Sequence, residues 1–259
     1  MRHKESDYDW AKRRAKALFS DVDSWNDDIG DVYEKVDVWT VKKLLALDEY
    51  IEPFHKIAKK YFSQWVYIDF FSVPGLMRFS SEQYKKKHLC KGSPLIPLFL
   101  SNKYPFTSYF FFDKNPSRVS ALSRLINRMA KESTISSQLT INSPEALSFE
   151  QSSQKLFGQT GSIKKKALSL VVIDPEGYEG VMWESLSSIL QNWKVDLIYT
   201  FMTYALIRNK NKATSERGSA YARNLDAFFG DSLWREVEND QLLDHFCKKL
   251  KLWDTMLEL

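Results

Sequence analysis

Apolar and polar positions change period along the chain, and each change marks an element. In "WTVKKLLALDEYIEPFHKIAKKYF" (39–62), Val41, Leu44, Leu45, Asp48 and Ile51 fall on one helical face, which predicts a helix interrupted at Pro53. "WVYIDFF" (65–71) is a run of strand-favouring residues and predicts a buried strand. A short helix is predicted over "SPLIPLFLSN" (93–102) and a second strand over "SYFFFD" (108–113). "NPSRVSALSRLINRMAKE" (115–132) predicts a strongly amphipathic helix with Pro116 near its first turn. "QLTIN" (138–142) predicts a third strand. "LSLVVID" (168–174) is apolar almost throughout, as a central parallel strand covered on both faces must be. "GVMWESLSSILQNW" (180–193) reads as a helix, "DLIYTFM" (196–202) as a fifth strand, and the remainder as mostly helical.

Strands separated by helices give an α/β fold with a doubly wound, mainly parallel sheet. The first 35 residues are polar and rich in aspartate ("DVDSWNDDIGD"), so residues 1–35 are expected to form an appended arm. Residues 36–259 are then the folded domain, ending in a helical extension. A chain of 259 residues can bury a sizeable core.

Composition narrows the chemistry. No stretch is long and apolar enough to span a membrane, and "MRHKESDYDW" is no signal peptide, so a cytoplasmic protein without membrane contact is expected. Cys90 and Cys247 make neither a disulfide framework nor a zinc site, and the four histidines form no metal-like pair. The net charge of +4 is mild, but it is concentrated in "AKRRAK" (11–16), "YKKKHLCK" (84–91), "IKKK" (163–166) and "RNKNK" (208–212), three of them in expected loops. Solvated loops account for these runs; contact with nucleic-acid phosphates is the functional alternative.

Ligands of open parallel sheets sit outside the carboxyl ends of the strands. Three aspartates fall at such ends: Asp69, Asp113 and Asp174. The chain has neither a G-x-G-x-x-G fingerprint nor a P-loop, and only nine glycines in all. A nucleoside ligand without phosphates fits this better, and S-adenosylmethionine is one. Its ribose hydroxyls need an acceptor, for which Asp113 is the candidate. Its amino-acid end needs backbone at the first loop, Ser72-Val73-Pro74-Gly75, with Asp69 nearby to offset the ammonium.

"YIDFF-S-V-PG", "KGSPLIPL", "VVIDPEGYEGVMWESL", "DLIYTFMT" and "NLDAFFGDSLWRE" occur in an order that resembles the three-Cys-motif partner proteins. The likeness covers about residues 35 to 236 and is most specific over 174–183 and 225–234. It implies a Rossmann-like methyltransferase fold, often encoded near mobile elements or defence genes. The sequence departs from the family pattern twice. Valine stands at position 73, where the family's loop has glycine, and Glu176 stands where it has an aromatic.

Val73 precedes a proline and accepts the extended geometry that position demands. Pro74-Gly75 then suits the centre of a type II turn. The turn survives, but a branched Cβ now stands where the cofactor's methionine part would pass.

In methyltransferases of exocyclic amines, an acidic or amide side chain followed by proline grips the amino group and aims its lone pair; catalysis is then mainly positioning. By that resemblance Asp174 is the acceptor, Pro175 lends a carbonyl, and Tyr178 is the remaining aromatic that can stack a base. In "KGSPL", Ser93 can cap a helix with Pro94 in its first turn, which explains both residues structurally. Amides at the same helix start suit an anion, so Lys91 and Ser93, with Lys164 and Lys165, are candidate substrate contacts. In "FFGDSLWRE", Gly230 is expected to end a helix, and the aromatics to belong to the core.

The expected activity is methyl transfer from S-adenosylmethionine to an exocyclic amine in nucleic acid. The alternatives are a non-catalytic nucleic-acid-binding module of the same fold, and a protein that works through a separately encoded partner.

Overall fold

The computed structural model describes residues 16–20, 22–25, 32, 34–36, 38–79, 89–216 and 218–251. A 3-10 turn at Asp23–Trp25 is followed by strand β1 (Glu34–Val36) and helix α1 (Val38–Tyr61). Helix α1 runs through Pro53 without a break. Pro53 and Glu49, the residue one turn earlier whose carbonyl loses its donor, are both exposed, so water is at hand on that side. The predicted stripe is the buried face, with Val41, Leu44, Leu45 and Ile51 in the core and Asp48 half-buried.

Next come β2 (Trp65–Asp69), β3 (Leu76–Phe79), β4 (Leu89–Lys91), α2 (Leu95–Phe99) and β5 (Ser108–Asp113). Helix α3 (Pro116–Lys131) begins at Asn115, whose side chain accepts from the Ser117 amide at 2.9 Å. Strand β6 (Glu145–Ala146) is followed by α4 (Phe149–Phe157), absent from the sequence reading although Ser148 and Gln151 form a capping box at its start. After β7 (Leu168–Ile173), α5 (Trp183–Asn192) and β8 (Lys194–Tyr199) come α6 (Thr203–Ser215), α7 (Ala220–Phe229) and α8 (Leu242–Lys251). "RNKNK" therefore lies within α6 and not in a loop. Gly230 does end α7, with φ +71°, and Phe228, Phe229 and Trp234 are buried.

Five strands form one parallel sheet in the order β6-β5-β2-β7-β8. The first of them in sequence, β2, is central; the chain builds outward on one side through β5 and β6, then returns to build β7 and β8 on the other. The sheet is thus an α/β, Rossmann-like one, and its topological switch lies between β2 and β7. Alternate residues divide between two cores. Tyr67, Leu170 and Val172 face α1, α2 and α3; Val66, Ile68, Val171 and Ile173 face α4 to α8.

Three features differ from expectation. "QLTIN" forms no ladder with β5: it meets Tyr109 through a bridge at Ile141 and through Asn142 Nδ2, which donates to the Tyr109 carbonyl at 3.0 Å. Pro144, which has no amide hydrogen to give, interrupts the edge before pairing resumes at β6. A second small sheet, β1-β3-β4, packs beside the first loop, with β1 parallel and β4 antiparallel to β3. Within the expected arm, Leu18, Phe19, Val22 and Trp25 are buried in the first core. No helix among the described residues is long and apolar enough to cross a membrane.

Candidate functional site

The carboxyl ends of β2, β5, β6 and β7 open onto a cavity of about 300 Å³ at the switch point. Phe71 and Val73 enter it from the loop after β2, and Asp113, Lys114 and Arg118 from the end of β5 and the start of α3. Leu147, Ser148, Phe149 and Glu150 line it from the β6–α4 junction; Asp174, Glu176, Gly177, Glu179 and Gly180 come from the loop after β7. One wall is aromatic, with Phe71 stacked on Phe149 at 6.2 Å and 18°.

Two cations organise the carboxylates, and both were missed in the sequence. Lys43 of α1 bonds both oxygens of Asp174, each at 2.7 Å. Arg118 joins three acids: Nη2 meets Glu34 Oε2 at 2.8 Å and Glu176 Oε1 at 2.5 Å, and Nη1 lies 3.5 Å from Asp113 Oδ2. Arg118 had a faint signal, in the first turn of the helix that follows a strand-end aspartate. Lys43 had none, because 131 residues separate it from Asp174.

Asp113 is 4% exposed, and its Oδ1 accepts the Asn115 amide at 2.7 Å. Burial still raises its pKa above the ordinary carboxylate value, against the pull of the Asn115 amide and Arg118. Glu34 is raised as well, first by burial and then, against Arg118, by repulsion from Glu176, Asp113 and Asp174.

Several predicted residues stand behind the cavity. Asp69 is fully buried. The Phe71 amide donates to its Oδ1 at 3.1 Å, while Oδ2 has no partner. Burial first, and then repulsion from Asp174 and Asp113, push its pKa to about 7, although Ser93 and the Phe71 amide favour the charged form. It acts on the cavity by its field and not by contact. The Ser72 hydroxyl and amide both donate to the Phe112 carbonyl, at 2.9 and 2.8 Å, so Ser72 ties the loop to β5 and is not a cofactor contact.

Gly75 has φ +91°, as the turn reading required, but a Cβ there would meet Leu125 and Leu122 of α3 at 2.9 and 3.0 Å; it faces the core. Pro175, in the loop after β7, is buried. Tyr178 is buried, accepts from Asn209 Nδ2 at 3.1 Å and packs edge-on to Phe228, so it cannot stack a base.

The "KGSPL" segment is a structural seam. The Gly92 amide donates to the Gly75 carbonyl at 2.7 Å, and a Cβ on Gly92 would come within 3.0 Å of that oxygen and of Val73 Cγ2. Helix α2 is capped at Pro94 without a side-chain bond, so Ser93 does not cap it. Ser93 is buried, and its carbonyl accepts from the Tyr67 hydroxyl at 3.0 Å. Lys91 is buried too: its Nζ lies 3.8 Å above the Phe99 ring and donates to the Ala17 carbonyl at 2.7 Å, which removes it from any substrate. Lys164 and Lys165 precede β7 and so sit at the amino edge of the sheet, with the whole strand, roughly 20 Å, between them and Asp174. The basic residues Lys85, Lys86 and Lys87 lie outside the described residues. Of the predicted set, Val73, Asp113 and Asp174 share the cavity.

No protein-family model matches the chain, and no curated protein matches it.

Proposed function

We propose that the cavity holds S-adenosylmethionine and that the chain is a methyltransferase acting on an amine. The carrying observation is the convergence of Asp113 and Asp174 on an aromatic-walled cavity at the switch point of a 3-2-1-4-5 parallel sheet.

The residues present fit the cofactor. Phe71, Leu147 and Phe149 offer apolar surface for a flat base, Asp113 is a buried acceptor for ribose hydroxyls, and the excess of carboxylates suits a ligand with sulfonium and ammonium charges. When bound, S-adenosylmethionine supplies an electrophilic methyl group. The chain's part is positioning: each Asp174 oxygen bonded by Lys43 keeps a second lone-pair direction free, so the carboxylate can still accept from an amine.

Nucleic acid as acceptor rested on the lysine runs. Lys164 and Lys165 stand at the opposite edge, which gives that acceptor no support at the cavity.

The test is calorimetric titration with S-adenosylmethionine. Asp113→Ala removes a charged acceptor worth ~1.5–3 kcal/mol and is expected to weaken binding roughly tenfold to a hundredfold. Arg118 keeps Glu34 and Glu176, so the fold should hold. Equal affinity in the variant would sink the ribose role. Val73→Gly should tighten binding by clearing the wall, while added unfolded-state freedom lowers stability by up to ~1 kcal/mol. Equal or weaker binding would show that Val73 does not limit the site.

A non-catalytic module is the second reading. Its support is that every strand-end carboxylate in the cavity already has a cation: Asp174 has Lys43, and Asp113 has Arg118. Absence of cofactor binding in the same titration would favour it.

A further inference from the structure

Among the residues that line the cavity, Asp113, Glu150, Asp174, Glu176 and Glu179 oppose only Lys114 and Arg118. Adding Lys43 on Asp174 and Glu34 on Arg118 leaves the excess at three negative charges. Buried Asp69 deepens the negative field when ionised. Burial is the first cause of the raised pKa values of Glu34 and Asp113, and repulsion from Glu176 adds to it in both. Glu176 and Glu179 are exposed at the rim, Glu176 with one oxygen, Oε1, held by Arg118, and Glu150 sits in the first turn of α4, where the helix dipole favours its charge. A polyanion approaching this mouth meets like charge, and the lysines at 164–166 are too far away to compensate.

Volume points the same way. About 300 Å³ is at the small end for ligand sites, enough for one nucleoside-sized molecule. A nucleobase flipped out of a strand needs a pocket of its own. A slender alkyl chain ending in a charged nitrogen needs only the mouth.

We propose that the acceptor at this site is a primary alkylammonium, carried by a lysine-rich polypeptide or by a polyamine, and recognised by Glu176 and Glu179 at the rim; the methyl-acceptor part of this rests on the methyltransferase reading above. Alkylation of an amine by a sulfonium forms the N–C bond from the nitrogen lone pair, leaves the C–S pair on sulfur, and releases one proton. An ammonium must therefore lose a proton before it reacts, and water at the exposed mouth takes that proton.

The experiment titrates the whole protein at low salt, without cofactor, against a lysine-rich peptide, spermine, and single-stranded DNA and RNA. The expected result is saturable alkylammonium binding that salt weakens and that Glu176→Gln with Glu179→Gln weakens by roughly tenfold. Stronger binding of the peptide than of spermine identifies a polypeptide source, and the reverse a polyamine. Alkylammonium binding that is absent, or unchanged in the double variant, overturns the proposal. So does oligonucleotide binding that the double variant reduces. S-adenosylmethionine titrated separately distinguishes the two failures: no cofactor binding with rim-dependent cation binding ends the methyltransferase reading alone.

Discussion

Replacing Asp69 with asparagine is expected to flatten the fall in stability from about pH 5 to about pH 8 by roughly 2–3 kcal/mol. The wild-type carboxyl is fully buried, has one oxygen without a partner and lies near two other aspartates, which together push its pKa to about 7. In the unfolded chain the same group titrates near the ordinary carboxylate value, ~3.9. The folded state therefore binds the proton more tightly. That stabilisation is complete below the unfolded value, shrinks as pH rises, and is gone once pH passes about 7. Asparagine does not titrate, keeps an acceptor for the Phe71 amide, and carries no charge to bury. Urea unfolding of both proteins at the two pH values measures the effect. Parallel pH dependence in wild type and variant would mean that Asp69 is already ionised at the lower pH.

The long elements were legible because burial imposes a period. "SYFFFD" has one apolar phase for each side of the sheet and became β5 with the expected bounds. The stripe of α3 did the same for a helix, burying Ala121, Leu122, Leu125, Ile126 and Met129. Strands β1, β3 and β4 have three or four residues, too few to show a period, and were missed.

At the site, the strand-end rule found the right places on the chain but not the depth of every side chain. Asp69 pairs with Phe111 and Val172, so it lies two residues deeper in the sheet than Asp113 and Asp174; it stays buried while those two reach the cavity. The partners of those two acids depend on tertiary contacts. Helix α1 brings Lys43 to Asp174, and the small sheet brings Glu34 to Arg118. No local pattern records either meeting.

Asp174→Ala is expected to lower methyl transfer on the order of 10²-fold or more, as loss of a positioning group does, while S-adenosylmethionine affinity changes little. Asp174→Asn keeps one carbonyl acceptor and should retain part of the activity. Lys43 complicates the reading, because removing the carboxylate also strands an ammonium that is only 28% exposed. Lys43→Met and the double variant resolve this. If Asp174 acts on the acceptor, Lys43→Met leaves the carboxylate in place and costs far less turnover than Asp174→Ala, and the double variant recovers melting temperature but not activity. If the pair is only structural, both single variants lower the melting temperature alike and the folded fraction of each stays equally active. The assay is transfer of labelled methyl to a lysine-rich peptide, spermine and mixed DNA and RNA, run beside thermal unfolding. Activity surviving in Asp174→Ala removes Asp174 from the reaction. A wild type that transfers to none of these acceptors favours the non-catalytic module, in which Lys43 and Asp174 simply join α1 to the end of β7.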